Sequence, residues 1–321
     1  MKKSVIFSLL FAAFVGAAFA GDEYPLPASD IRIRDPFVYA DPESKTYLMY
    51  AQTENRIGGL GAGVGVEMYA SQDLEHFSEP QVVFHKEKDF WGGDQIWAPE
   101  MHRIGDWFYL FVTFNGREGG RGTQILRSRK AQGPFAVFSD QSNTPPEQCS
   151  LDGTPWIDET GRRWLVYCHE WVQIGDGAMR AVPMKGDFSG RDGESVLLFH
   201  ASEAPWVKSW GGAGQGKYVT DGPCLYKTKN GKLLMLWSSF TGEGHTYAIG
   251  VAESESGKIT GPWTQRAEPL FDRDGGHCML FTTFEGQLTL ALHQPNSGRN
   301  ERAKFFPIQE EDGMLKVIAE Q

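Results

Sequence analysis

Short apolar stretches rich in aromatic and β-branched residues follow one another along this chain. Gly, Pro, Asp or Asn closes each of them, and apolar positions almost nowhere fall at helical spacing. Within that pattern one longer phrase returns five times: a polar or small residue, a few apolar residues, a tight turn, and an aromatic-rich strand. The copies run from Asp35-Pro36-Phe37 to Tyr47-Leu48-Met49-Tyr50, from Trp97-Ala98-Pro99-Glu100 to Trp107-Phe108-Tyr109-Leu110, and from Asp152-Gly153-Thr154-Pro155 to Trp164-Leu165-Val166-Tyr167. The last two run from Asp221-Gly222-Pro223 to Leu233-Leu234-Met235-Leu236-Trp237 and from Gly276-His277-Cys278 to Leu288-Thr289-Leu290. Their turns centre on Ser44, Gly105, Gly161, Gly231 and Gly286, at intervals of 61, 56, 70 and 55 residues. A repeat of that length made of strands and turns predicts an all-β chain folded as a single five-bladed β-propeller.

The outer strands support the same repeat. Gln124-Ile125-Leu126-Arg127-Ser128 before Gly133-Pro134-Phe135 matches Ala248-Ile249-Gly250-Val251-Ala252 before Gly261-Pro262-Trp263. After a lead-in, blade 1 is expected to reach residue 88, blade 2 to span 89–140, and blade 4 to span 218–264. Blade 3 carries an apparent insertion from Trp171 to Lys217, which holds Trp206, Trp210 and several glycines. Long loops at a propeller mouth are commonly functional. No linker or low-complexity tract divides the chain, so one domain over residues 21–321 is expected.

Residues 1–20 read as a signal peptide. Lys2 and Lys3 precede an apolar run from Val5 to Ala18, and Ala18-Phe19-Ala20 offers small residues where a signal peptidase cuts. The protein is therefore expected to be exported, to the periplasm or outside the cell. No second apolar run is long enough to span a membrane. A net charge of −10 and the absence of a basic run argue against nucleic acid as a partner. An aromatic content of 13% suits β-strands and also suits sugar binding. A monomer is expected. Export permits disulfides between Cys149 and Cys168, which flank one hairpin, or between Cys224 and Cys278. The simpler expectation is four buried small side chains. No Cys-x-x-Cys occurs, so a structural zinc site has no support.

Three of the five repeats open on a carboxylate: Asp35, Asp152 and Asp221. Asp before Gly or Pro is ordinary turn chemistry. Three such residues at the starts of inner strands would instead converge on the propeller axis. Hydrolysis of a glycoside with inversion needs an ionised carboxylate to take a proton from water and a protonated one to give a proton to the leaving oxygen. A third carboxylate raises the pKa of the acid by repulsion.

With those residues in order, the chain resembles glycoside hydrolase family 43. The resemblance rests on Arg34-Asp35-Pro36-Phe37, Trp97-Ala98-Pro99-Glu100, Leu151-Asp152-Gly153-Thr154-Pro155 with Asp158 and Gly161, Thr220-Asp221-Gly222-Pro223, and Gly276-His277-Cys278. Each motif is weak alone, and the ordered set is specific. It implies a five-bladed propeller and an inverting enzyme acting on α-L-arabinofuranosides or β-D-xylosides. It also implies Asp35 as general base and Asp152 as the orienting, pKa-raising carboxylate.

The chain departs from the pattern at the general acid, where the family carries Glu and this chain has the shorter Asp221. Three outcomes stay open. Asp221 serves as the acid in a tightened pocket, Glu170 in Cys168-His169-Glu170-Trp171 supplies the proton instead, or catalysis is impaired. Glu100 is expected to bind substrate or orient a neighbour. His277 is expected near the axis, touching substrate or holding a structural calcium ion through water; no cofactor is expected to be required. Trp91, Trp97, Trp171, Trp206 and Trp210 are candidate sugar platforms or blade packing. Asn296, Arg299 and Arg302 are expected to touch the mouth or close the ring. Trp171-Val172-Gln173-Ile174 and Leu234-Met235-Leu236-Trp237-Ser238-Ser239-Phe240 resemble a subgroup associated with arabinose-bearing plant polysaccharides. The first expectation is thus an exported α-L-arabinofuranosidase acting on an oligo- or polysaccharide. A β-xylosidase and a catalytically weakened carbohydrate-binding propeller are the alternatives.

Overall fold

A computed structural model of the protein describes residues 23–52, 65–116, 119–139, 141–209, 216–242 and 246–318. Residues 1–20, expected to be a signal peptide, together with Trp210 and glycines 211, 212 and 214, lie outside the described residues. Five antiparallel sheets follow one another along the chain, one per predicted repeat. Blade 1 is built from Phe37–Asp41, Thr46–Gln52 and Gly65–Ser71. Its outer edge is shared by His76–Phe77 and Gln81–His85, both paired with the third strand. Blade 2 comprises Gly92–Ile104, Trp107–Gly116, Arg121–Ser128 and Ala136–Val137. Blade 3 comprises Ser150–Ile157, Arg163–His169, Ala178–Met184 and Val196–His200. Blade 4 comprises Asp221–Lys227, Leu233–Thr241, Thr246–Ser254 and Trp263–Gln265. Blade 5 comprises Gly276–Thr282, Leu288–Gln294, Arg302–Glu311 and Met314–Val317.

Two expectations need adjustment. The apparent insertion of blade 3 is mostly blade, because it contains that blade's third and fourth strands. Pro183 inside the third strand broke the apolar run that would have marked it. The extra chain is a single helical turn, Trp171–Ile174, together with the passage from Ala201 to blade 4. The cysteines form no disulfide; all four are free. Cys168 and Cys278 are buried, whereas Cys149 and Cys224 are only partly so.

The core lies between neighbouring blades. One apolar layer joins blades 5, 1 and 2 around Tyr50, Tyr69 and Phe114, and another joins blades 2 and 3 around Phe111, Tyr167 and Phe188. Further layers join blades 3 and 4 around Trp206 and Trp237, and blades 4 and 5 around Leu236 and Leu290. A fully buried side chain such as Phe111 contributes about 1.5–3 kcal/mol by leaving water. The ring closes without strand exchange. The lead-in before blade 1 packs on blade 5, where Ile33 donates its amide to the Glu301 carbonyl at 3.1 Å and Arg32 pairs with the Glu301 carboxylate at 2.9 Å. Among the described residues no helix is long and apolar enough to cross a membrane.

Candidate active site

At the start of each inner strand the chain passes through one residue of left-handed backbone. These are Asp35 (φ 49°), Ala98 (44°), Asp152 (57°), Gly222 (50°) and His277 (47°). In blades 2 to 5 the ladder slips at that point, between Trp97 and Glu100, Leu151 and Thr154, Asp221 and Cys224, and Gly276 and Met279. Such bulges re-aim side chains and favour sites of function. For a non-glycine residue the conformation costs on the order of 1–3 kcal/mol and needs support from its surroundings.

That support comes from the preceding blade. The Asp152 amide donates to Thr113 Oγ1 at 2.8 Å and the His277 amide donates to Ser238 Oγ at 2.8 Å. The Asp35 amide donates to His293 Nδ1 at 3.2 Å, and the Gly222 amide donates to Asp152 Oδ2 at 3.0 Å. Four of the five left-handed positions are thus latched to the neighbouring sheet, and the latch on blade 4 is itself a candidate catalytic carboxylate.

The alignment corrects one sequence expectation. Asp35 and Asp152 occupy the same position in their blades, but the equivalent residue of blade 4 is Gly222. Asp221 lies one residue earlier, level with Trp97, Leu151 and Gly276. The one-residue offset sends its side chain out from a different point of the bulge.

All three aspartates nevertheless line one cavity of about 190 Å³ at the axis, together with Arg34, Trp97, Tyr247 and His277. His277 Nδ1 lies 3.3 Å from Asp35 Oδ1 and 3.6 Å from Asp152 Oδ2. The Tyr247 hydroxyl donates to Asp221 Oδ2 at 2.9 Å. Arg34 is oriented by Asn296, whose Oδ1 accepts from its Nη2 at 3.1 Å. His293 Nε2 faces the same Asn296 oxygen at 3.2 Å. On its other side His293 Nδ1 meets both the amide and, at 3.2 Å, the Oδ1 of Asp35.

The electrostatics separate the acids. Burial alone would raise Asp35, yet the charges of His277 and Arg34 outweigh it and hold its carboxyl well below the usual carboxylate range. Burial pushes Asp152 up to about 8; His277 opposes this, and the neighbouring Asp221 and Asp35 add to it. Burial raises Asp221 to about 6, against the pull of His277 and the Tyr247 hydroxyl. Asp152 and Asp221 are therefore both raised toward neutral pH while Asp35 stays ionised. Burial pulls the His277 imidazole down, but the carboxylates of Asp35, Asp152 and Asp221 outweigh it and raise its pKa. The arrangement can supply a base, an acid and a cation within one pocket.

The other predicted residues lie elsewhere. Glu170 is buried away from the cavity wall, where its carboxylate pairs with Arg121 and accepts the Cys149 thiol at 3.0 Å. The Arg121 guanidinium in turn stacks 4.1 Å over the ring of Trp97. Glu100 points down the axis and meets His102 Nε2 at 3.0 Å, outside the residues that line the cavity. Trp171 opens the helical turn and is only partly buried; it too is absent from the cavity wall. Arg302 belongs to the closing seam, where it donates to the carbonyls of Ser29 and Glu301. Trp206 is blade packing, with its ring 5.0 Å from that of Trp237. Arg34, Tyr247 and His293 were not singled out from the sequence. Only Arg34 carried a signal, its place beside Asp35.

A calcium ion would require oxygen ligands. Among the described residues the one cluster of three close acidic or imidazole groups is the exposed set Asp73, Glu75 and His76, away from the axis. At the axis His277 turns Nδ1 to Asp35 and Asp152, and the oxygens present are those of the candidate catalytic acids. The residues do not form a calcium cage, and no step is routed through one.

The family model for glycosyl hydrolases family 43 matches residues 24–313. An endo-arabinase structure from Bacteroides thetaiotaomicron VPI-5482 superposes with a TM-score of 0.84 at 38% identity, covering 91% of this chain and 99% of that one. The alpha-L-arabinofuranosidase 43 of Humicola insolens is 23% identical over 203 residues, 60% of this chain and 40% of that protein. A beta-xylosidase of Bacillus subtilis (strain 168) is 26% identical over 208 residues, 60% of this chain and 37% of that protein. The chain thus matches about two fifths of the length of these curated relatives.

Proposed function

The chain belongs to glycosyl hydrolases family 43, and on that premise we propose that it is an exported, inverting enzyme that hydrolyses α-L-arabinofuranosidic bonds of plant polysaccharide. The observation that carries the reading is the convergence of Asp35, Asp152 and Asp221 on one cavity, with one carboxylate held ionised and the other two raised toward neutral pH. The arabinose specificity draws on the endo-arabinase likeness, which covers nearly all of both chains.

Asp35 is the general base. Its ionised carboxylate takes a proton from a water molecule as the water oxygen bonds to the anomeric carbon. Asp221 is the general acid and protonates the glycosidic oxygen as the bond to the anomeric carbon breaks. Solvent then takes the proton from Asp35 and returns one to Asp221. Asp152 accepts from the Gly222 amide and so fixes the bulge beside Asp221, while burial and the charges of Asp35 and Glu170 raise the proton affinity of Asp221 itself. Glu170 is not assigned as the acid, since its carboxylate is taken up by Arg121 and Cys149 and does not line the cavity. Arg34 and Trp97 form walls that orient the sugar.

Release of arabinose from p-nitrophenyl α-L-arabinofuranoside and from arabinan, compared with release of xylose from the β-xyloside, tests the reading. Faster turnover of the arabinosides supports it. Faster turnover of the xyloside transfers the specificity to β-xylosides, and inertness on all of them favours a carbohydrate-binding propeller.

A further inference from the structure

Beside the acid-lined cavity lies a second and larger one, of about 600 Å³, between blade 2 and the passage into blade 3. Trp91, Phe90 and Pro145 give it an apolar wall, while Arg121 and Ser142 bring polar groups to it. The Trp91 ring is held in place. Its Nε1 donates to Gln124 Oε1 at 2.7 Å, and it packs edge-on against Phe114 with ring centres 5.9 Å apart. A fixed indole face with hydrogen-bonding groups nearby suits a sugar, whose ring carries an apolar C–H face and a polar rim.

Arg121 joins the two cavities. It lines the larger one, and its guanidinium covers Trp97, which walls the smaller. Its orientation is set by the buried Glu170 carboxylate. A guanidinium held beside an aromatic platform, one side chain from the cleavage pocket, is the chemistry of a binding subsite.

We propose that the Trp91–Arg121 cleft binds the pentose residues adjoining the one in the acid-lined pocket, so that the enzyme recognises a chain rather than a single sugar. Trp91 stacks on one of these residues, and Arg121 donates to a hydroxyl or ring oxygen. The proposal rests on the pentosidase reading above. It also gives the buried Arg121–Glu170 pair a task, which is to present a rigid guanidinium to substrate.

The test is the dependence of kcat/KM on chain length. In the wild type, kcat/KM is expected to rise from the arabinofuranosyl disaccharide to the tetrasaccharide. In Trp91→Ala the ratio of tetrasaccharide to p-nitrophenyl glycoside turnover is expected to fall by about tenfold, the loss of one good aromatic contact. Trp91→Phe keeps a platform and is expected to restore most of that ratio. A wild-type rate that is flat with length would overturn the proposal without any variant, and so would a Trp91→Ala ratio equal to wild type. The two readings fail differently: hydrolysis without length dependence removes the cleft alone, whereas inertness on every pentoside removes the pentosidase reading with it.

Discussion

His277 and Asp35 hold the same left-handed position in blades 5 and 1, and across the closing seam they face each other at 3.3 Å. The pair places a cation beside the carboxylate that must stay ionised. The raised His277 and the lowered Asp35 are two views of that one contact. Asp152, at the same position in blade 3, reaches the same imidazole nitrogen from the other side at 3.6 Å. The repeat thus delivers Asp35, the proposed base, Asp152 and the His277 cation to one point by using one backbone geometry three times.

Asp35→Asn removes the proton acceptor and leaves the size of the side chain unchanged. Turnover is expected to fall by about 10²–10⁴-fold, the usual worth of general-base help. Circular dichroism should be unchanged. A variant that keeps more than about a tenth of wild-type activity would end the assignment of Asp35 as base.

The identity of the acid is readable from leaving groups. Asp221→Ala is expected to cripple hydrolysis of arabino-oligosaccharides and to spare p-nitrophenyl arabinofuranoside much more, because nitrophenolate departs without a proton. Glu170→Ala is expected to raise KM for the oligosaccharides through loss of the Arg121 anchor, with no dependence of kcat on the leaving group. The opposite pattern would move the proton donor to blade 3.

Water attacking across the ring from the acid inverts the anomeric carbon. Proton NMR of the first sugar released should show the anomer opposite to the substrate's, before mutarotation blurs it. A retained anomer, or a trapped glycosyl-enzyme, would contradict the roles given to Asp35 and Asp221.

The pH profile follows from the same groups. Asp35 stays ionised well into acid, so the alkaline limb is expected to dominate, with kcat/KM falling as Asp221 loses its proton above about pH 6. The Tyr247 hydroxyl stabilises the charged form of Asp221. Tyr247→Phe should therefore shift that limb to higher pH; no shift, or a shift toward acid, would refute the pairing.

Stability falls in the same direction, through a different group. Asp152 binds its proton more tightly folded than unfolded, so the fold loses stability as pH rises from the ordinary aspartate range through about 8. Asp152→Asn keeps an acceptor for the Gly222 amide and removes that titration. Its melting temperature at pH 8 is expected to exceed that of the wild type while activity is lost. A lower value at pH 8 would mean that the carboxylate stabilises the fold as an anion.

Much of this was legible in the sequence. The five turns and the apolar runs between them mark the blades because hairpin chemistry is local: Gly105, Gly161, Gly231 and Gly286 each carry the positive φ of a turn. The convergence of Asp35, Asp152 and Asp221 followed from their place at the starts of inner strands. What local pattern could not show was position within the bulge, which depends on a slip in pairing between strands and moves Asp221 by one residue. Tyr247 and His293 were hidden for a related reason. Each reaches the pocket from a second or third strand, where apolar alternation looks the same whether a side chain meets a neighbour or a substrate. Pro183 hid a strand by breaking its run. Glu170 was attractive by its place near the end of a strand, and only the partnership with Arg121 shows its side chain committed elsewhere.

The latched bulge of blade 4 has a genetic consequence. A Cβ on Gly222 would lie 2.8 Å from the ring of His277, and its backbone stands at a φ of 50° that side chains resist. Any larger residue at 222 needs a smaller one at 277, and losing His277 removes the cation beside the base. The two positions are therefore epistatic. A lineage leaving this arrangement must cross an inactive or unstable intermediate, whichever codon changes first, so the pair is expected to persist or to be replaced together.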